Sequence, residues 1–136
     1  MDLKKISLDE FLCAHNRTIT ATHPMAFDAE IVNIIISQGL VFKKQLDQHY
    51  AIYRINNMPG DIALNYNNNV VGYYYTDLLA IDEAHLDKKI STPLIIEAVE
   101  DRALPTERKL SCAGMAALER AWRVANGKAT CRWHPL

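Results

Sequence analysis

Three stretches rich in β-branched and aromatic residues, separated by two dense clusters of turn formers, constrain the fold of this chain more than any other feature. Gln48-His49-Tyr50-Ala51-Ile52-Tyr53-Arg54-Ile55 is a run of strand formers, closed by the turn signal Asn56-Asn57-Met58-Pro59-Gly60. A second strand is expected over Asp61–Tyr66. The triplet Asn67-Asn68-Asn69 then supplies the positive-φ positions of a tight hairpin, because asparagine tolerates the left-handed region better than most side chains. A third, long strand is expected from Val70 to Ile81. Three consecutive strands with short connections form an antiparallel meander. Alternation along the third places Tyr73 and Tyr75 on one face and Tyr74 on the other.

A sheet needs a cover, and the flanking segments carry helical periodicity. Asp9 to Ala14 suits a short helix, and the β-branched run Thr18–Thr22 with Pro24 after it suits an extended or irregular connection. Between Ala26 and Gln38 the apolar residues Phe27, Ile31, Ile34 and Ile35 keep the spacing of one buried helix face, and Gly39 offers a stop. Residues Asp82–Lys89 are charged and read as a flexible loop. Ser91-Thr92-Pro93 places a capping hydroxyl before a proline suited to a first helical turn, and Leu94, Ile95, Ala98 and Val99 give that helix its apolar stripe as far as Leu104. A short strand over Arg108–Leu110 precedes a last helix, capped by Ser111, whose Met115, Leu118, Trp122 and Ala125 share a face; Asn126-Gly127 stops it. The reading is one α/β (α+β) domain over 1–136, a mostly antiparallel central sheet flanked by helices.

Composition narrows the function classes. The 136 residues, 49% hydrophobic and 23% charged, match a single globular domain with a core of its own. The longest apolar run, around Ile34-Ile35-Ile36, is interrupted by polar residues and is far shorter than the ~20 residues of a membrane-spanning helix. The first residues mix acidic and basic side chains where a secretory leader is apolar, so the expected location is the cytoplasm. Cys13, Cys112 and Cys131 are too few and too odd for a disulfide framework. Fifteen basic and sixteen acidic residues leave no strong field to attract nucleic acid, and the basic pairs, Lys88-Lys89 among them, are scattered. Cys13-Ala14-His15 and Cys131-Arg132-Trp133-His134 hold the residue types of a zinc site, but the spacing is poor for one and no metal is expected. P-loop, dinucleotide-fold and serine-hydrolase motifs are absent.

The order of elements, helix, meander, loop, helix, short strand and helix, resembles the GNAT superfamily of acyl-CoA-dependent N-acyltransferases over roughly residues 48–127. That family binds the coenzyme A pyrophosphate on the backbone amides of a loop of the type Arg-Gly-Lys-Gly-Ile-Gly at a helix start. The pattern lies here on Leu86-Asp87-Lys88-Lys89-Ile90-Ser91, with Asp87, Lys89 and Ser91 at the glycine positions. A second similarity is Lys109-Leu110-Ser111-Cys112-Ala113-Gly114 leading to Arg120-Ala121-Trp122. The physical logic is general: helix-start amides and the positive end of the helix dipole favour an anion. The resemblance implies an acetyl-CoA or other acyl-CoA co-substrate held by Leu79, Ile81, Lys88, Lys89, Ile90, Ser91 and Thr92, with an amine acceptor on a small molecule or protein.

Acyl transfer needs a donor for the thioester oxygen, a proton path from the amine and an acid for the thiolate. The candidates are His85 as a base, Cys112 at a helix start as an acid or nucleophile, and Tyr75 as a hydroxyl from the sheet. Each has an ordinary alternative: a loop imidazole, a small packing residue and an aromatic of the sheet. The last helix lacks the tyrosine that the family uses as its acid, and the loop lacks glycine. Both departures motivate the alternative of a catalytically inactive descendant that binds or inhibits a protein. A homodimer through the sheet edge or the tyrosine-rich face also fits the pattern.

Overall fold

The structure, a computed structural model, describes residues 2–14, 19–21, 27–76, 78–101 and 110–134; side chains at 13–14, 19–21 and 110–113 stand outside that description. It is a mixed α/β fold built on a five-stranded antiparallel sheet. The strands are β2 (Leu40–Gln45), β3 (Tyr50–Ile55), β4 (Ile62–Tyr66), β5 (Asn69–Tyr75) and β6 (Leu78–Ile81), hydrogen-bonded in sequence order. The meander is therefore longer than the expected three strands. Separately, β1 (Ile19–Ala21) pairs in parallel with β7 (Leu110–Ser111). The helices are α1 (Leu8–Ala14), α2 (Ala29–Gln38), the short α3 (Glu83–Leu86), α4 (Ser91–Glu100) and α5 (Cys112–Ala125).

The asparagine turn forms as its sequence dictates. Asn67 and Asn68 have φ of 47° and 70°, both positive as a two-residue hairpin requires, and Tyr66 pairs with Asn69 across it. The expected single strand over 70–81 is instead two. Thr76 sits at φ 44°, and its amide donates to the carboxylate of buried Asp61 at 3.2 Å, so the chain reverses and Leu78 pairs back with Tyr75. A β-branched residue disfavours that conformation on its own. The contact that holds it comes from the start of another strand.

Helices cover both faces of the sheet. On one, Ile35 of α2 is buried with Ile55, Ala63, Tyr73 and Ala80, while Phe27 stacks on Tyr73 at 5.6 Å. Asp28 caps α2 through the Glu30 amide, and Gly39, at φ 95°, ends it. On the other face, α4 and α5 pack with Phe11 of α1 over Tyr50, Ile52, Ile62, Leu64, Tyr74 and Ile81. The expected alternation of the three tyrosines holds, Tyr73 and Tyr75 on the α2 side and Tyr74 on the other, though none of the three rings is fully exposed. Trp122 of α5 donates its indole N–H to Ile6 O at 3.1 Å, tying the first residues to the last helix. Among the described residues no helix is long and apolar enough to cross a membrane.

At the edge of the sheet, β2 breaks its alternation. Phe42 pairs with Tyr53, but it is Lys44 that pairs with Ile52, leaving Lys43 as an extra residue in a bulge. Both lysines thereby reach α4. The Lys43 ammonium, its side chain 5% exposed, donates to Glu97 O at 2.7 Å and lies 3.2 Å from the Glu97 carboxylate, 3.0 Å from that of Glu100 and 3.4 Å from that of Asp101. Lys44 takes the second Glu97 oxygen at 2.9 Å, and Arg54 holds Asp101 at 3.0 Å. A cation at the end of α4 also satisfies carbonyls that have no partner within the helix. Burial opposes the charge on Lys43, but hydrogen bonds to Glu100 and Glu97 outweigh it and raise its pKa above the ordinary lysine value. Burial likewise opposes the Glu97 carboxylate, yet hydrogen bonds from Lys44 and Lys43 hold its pKa below the usual range.

Candidate functional site

The candidate corner lies where β6 ends and α4 begins. Asp82 caps α3, its carboxylate accepting the Ala84 amide at 3.2 Å, and its own amide donates to Val71 O at 2.7 Å. The segment expected to be a flexible loop is thus a pinned helical turn. It carries the His85 ring to the face of the sheet covered by α4 and α5, against Tyr50 and Tyr66.

There His85 Nδ1 lies 2.6 Å from the Tyr50 hydroxyl, and the ring centroids of His85 and Tyr66 are 4.8 Å apart. Tyr50 and Tyr66 are register partners of β3 and β4, with centroids 4.9 Å apart; Trp133 approaches the Tyr50 ring at 6.4 Å and His49 the Tyr66 ring at 5.5 Å. Asp47 fixes the start of β3 by accepting the amides of His49 and Tyr50 at 2.8 and 2.7 Å. Tyr50 is 2% exposed. Burial above all, with Tyr66, Asp47 and Asp87 adding to it, raises its pKa above the ordinary phenol value. Tyr50 therefore keeps its proton across the neutral range.

Tyr50, Tyr66 and Trp133 are residues that sequence reasoning missed. One signal pointed to the first two: they are equidistant from Met58 in the turn between β3 and β4, which makes them cross-strand neighbours once that turn is accepted. Their contact with His85 has no local signature.

The residues matched to the coenzyme loop cluster at the same corner. Ile81 is buried and Leu79 half-buried on the face covered by α4, and Ile90 and Thr92 are buried at the helix start. Lys88 and Lys89 are exposed with no carboxylate partner among the described residues. Lys89, at one of the family's glycine positions, has φ 60°. Ser91 is not the cap: it is the first residue inside α4, behind Ile90, and no side chain caps the helix. Packing explains this, since Ile90 is 1% exposed and its burial sets where the helix begins. The start of α4 consequently keeps amides with no side-chain acceptor.

Other expected residues fall elsewhere. Tyr75 is on the α2 face, at the end of β5 remote from His85, where its hydroxyl accepts from Gln38 Nε2 at 3.3 Å, so the two do not share a site. Cys112 is the first residue of α5, and the role expected of its thiol falls outside the described side chains. Cys13 and His15, half of the weighed metal set, fall outside as well; among the described residues no three His, Cys, Asp or Glu side chains are grouped to hold a metal. Among the described residues no strand pairs with the outer edge of β6, since the short strand β7 pairs with β1 instead.

Comparison with protein-family models, curated proteins and solved structures gives no match.

Proposed function

We propose that the chain is a GNAT-like acyltransferase, moving an acyl group from acetyl-CoA or a related thioester to an amine. The observation that carries the reading is the backbone of Lys89, which keeps the left-handed conformation of a glycine where the family's loop has glycine, directly ahead of an uncapped helix start. The side chains of Lys88 and Lys89 offer the positive charge that a pyrophosphate needs. The edge of β6, unpaired among the described residues, offers backbone groups to the acyl arm, and His85 sits four residues beyond the strand. Isothermal titration with acetyl-CoA tests the reading, and replacing Lys88 and Lys89 by Glu should abolish the binding.

A second reading, a non-catalytic protein-binding module on the same fold, is favoured by the clefts. One, of about 510 Å³, is lined by Asp2, Leu3, Lys4, Ile96, Val99, Glu100 and Ala125. Another, of about 430 Å³, lies between Val41, Arg54, the 55–60 turn and Asp101. Neither touches His85 or residues 88–92, and Val41 and Phe42 on the sheet edge are half exposed. This reading predicts no response to acyl-CoA and partner binding that survives charge reversal at Lys88 and Lys89 unless the partner uses that patch.

A further inference from the structure

The Tyr50–His85 contact has a polarity, and it alters what His85 does. Tyr50 is buried, holds its proton, and has His85 Nδ1 as the one hydrogen-bond partner of its hydroxyl among the described residues. A buried hydroxyl proton left without an acceptor is costly, so the O–H donates to the ring and Nδ1 accepts. A neutral imidazole that accepts at Nδ1 carries its proton on Nε2. His85 Nε2 lies on the far side of the ring, with no partner among the described residues, in a half-buried side chain.

We infer that Tyr50 is a positioning residue that locks His85 in the Nε2–H tautomer and makes it a fixed hydrogen-bond donor, not the base expected from sequence. Edge-to-face and tilted contacts with Tyr50 and Tyr66, at 5.6 and 4.8 Å, hold the ring plane, so the donor direction is set before any ligand arrives. The ligand group it fits is an oxygen acceptor, such as a carbonyl or carboxylate.

Its part in catalysis rests on the acyltransferase reading. There Nε2–H donates to the thioester carbonyl oxygen and takes up no proton. The amine nitrogen forms the C–N bond while the carbonyl π pair moves onto oxygen; the pair returns as the C–S bond breaks, and the amine proton passes to the departing thiolate. The products are an amide and the free thiol, with no net proton consumed or released.

The test is a long-range ¹H–¹⁵N correlation spectrum of the full-length, histidine-labelled protein at about pH 8, where an ordinary imidazole is neutral. The expected result is an acceptor-type shift for His85 Nδ1 and a protonated-type shift for Nε2. Tyr50→Phe, which keeps the ring, should move both toward averaged values. A protonated Nδ1 in the wild type, or a Tyr50→Phe spectrum identical to it, would overturn the inference. Should Tyr50→Phe fail to fold, the wild-type spectrum decides: averaged shifts reject the lock and separated shifts of the stated polarity support it. The spectrum needs no coenzyme, so a failed acetyl-CoA titration and a failed lock are separate outcomes.

Discussion

Lys89 holds a conformation that costs an L-residue about 1 kcal/mol or more, because at φ 60° its Cβ crowds the following carbonyl. Lys89→Gly removes that strain and adds unfolded-chain entropy, two opposed effects of which the first is larger. The expected net gain is about 0.5 kcal/mol, read as a higher urea midpoint at unchanged slope. A loss of stability would mean that the lysine side chain makes a contribution its exposed position does not suggest. Tyr50 acts at the same scale through one proton, whose direction follows from burial and a single acceptor.

Lys43 and Glu97 join the sheet edge to the end of α4, and nearly all of both side chains is withdrawn from water. Lys43→Met leaves Glu97 with Lys44 alone and should destabilise the fold by about 3 kcal/mol, the low end for breaking a buried ion pair. Adding Glu97→Leu to that variant should cost much less than it does in the wild type, and a double-mutant cycle from urea unfolding reads the difference. The pH dependence follows from the directions of the shifts. Glu97 and Asp101 have pKa values lowered in the fold. Their contribution is complete above the unfolded values near about pH 4 and is lost as pH falls through the folded ones. Lys43, whose pKa is raised, contributes fully below about pH 10 and loses that contribution as pH rises through its folded value. Glu97→Gln should flatten the acid limb of a stability profile taken between about pH 3 and pH 7; an unchanged limb would place the acid sensitivity elsewhere.

Turns divide into those written locally and those written at a distance. The Asn67–Asn68 turn is local, and Asn68→Gly, which suits the second positive-φ position, should raise the melting temperature, by about 0.5 kcal/mol or more of stability. The Thr76 turn depends on Asp61 across the sheet, and local reading therefore ran β5 and β6 together. The β2 strand lacked a period-two pattern because its bulge turns two successive lysines to one face. The helix α5 was legible because its Leu118–Trp122 stripe keeps helical spacing; in α2, which begins at Ala29, Ile35 takes the buried place expected of it, but Ile34, expected on the same face, is 46% exposed because that face is narrower than its apolar residues suggest. Of the expected site residues, the loop pattern and His85 are neighbours in sequence and stay together in the fold, Tyr75 goes to the other face, and the wall of Tyr50 and Tyr66 against His85 arises only when the meander folds.

The whole molecule is a sheet covered on both sides, with α2 on one face and α1, α4 and α5 on the other, and its candidate site lies at the corner shared by β6, α3 and α4. The α2 face is occupied by its own core and carries Tyr75 away from that corner. The chemistry proposed for the chain thus depends on an anion being held between Lys88, Lys89 and the first amides of α4, with its acyl arm reaching His85. The most direct measurement is isothermal titration of acetyl-CoA into the wild type and into the Lys88→Glu, Lys89→Glu double variant, with urea unfolding of both as the control. Saturable binding by the wild type, abolished in a double variant that still unfolds cooperatively, is the predicted result; no binding at about 1 mM coenzyme would contradict the acyltransferase account.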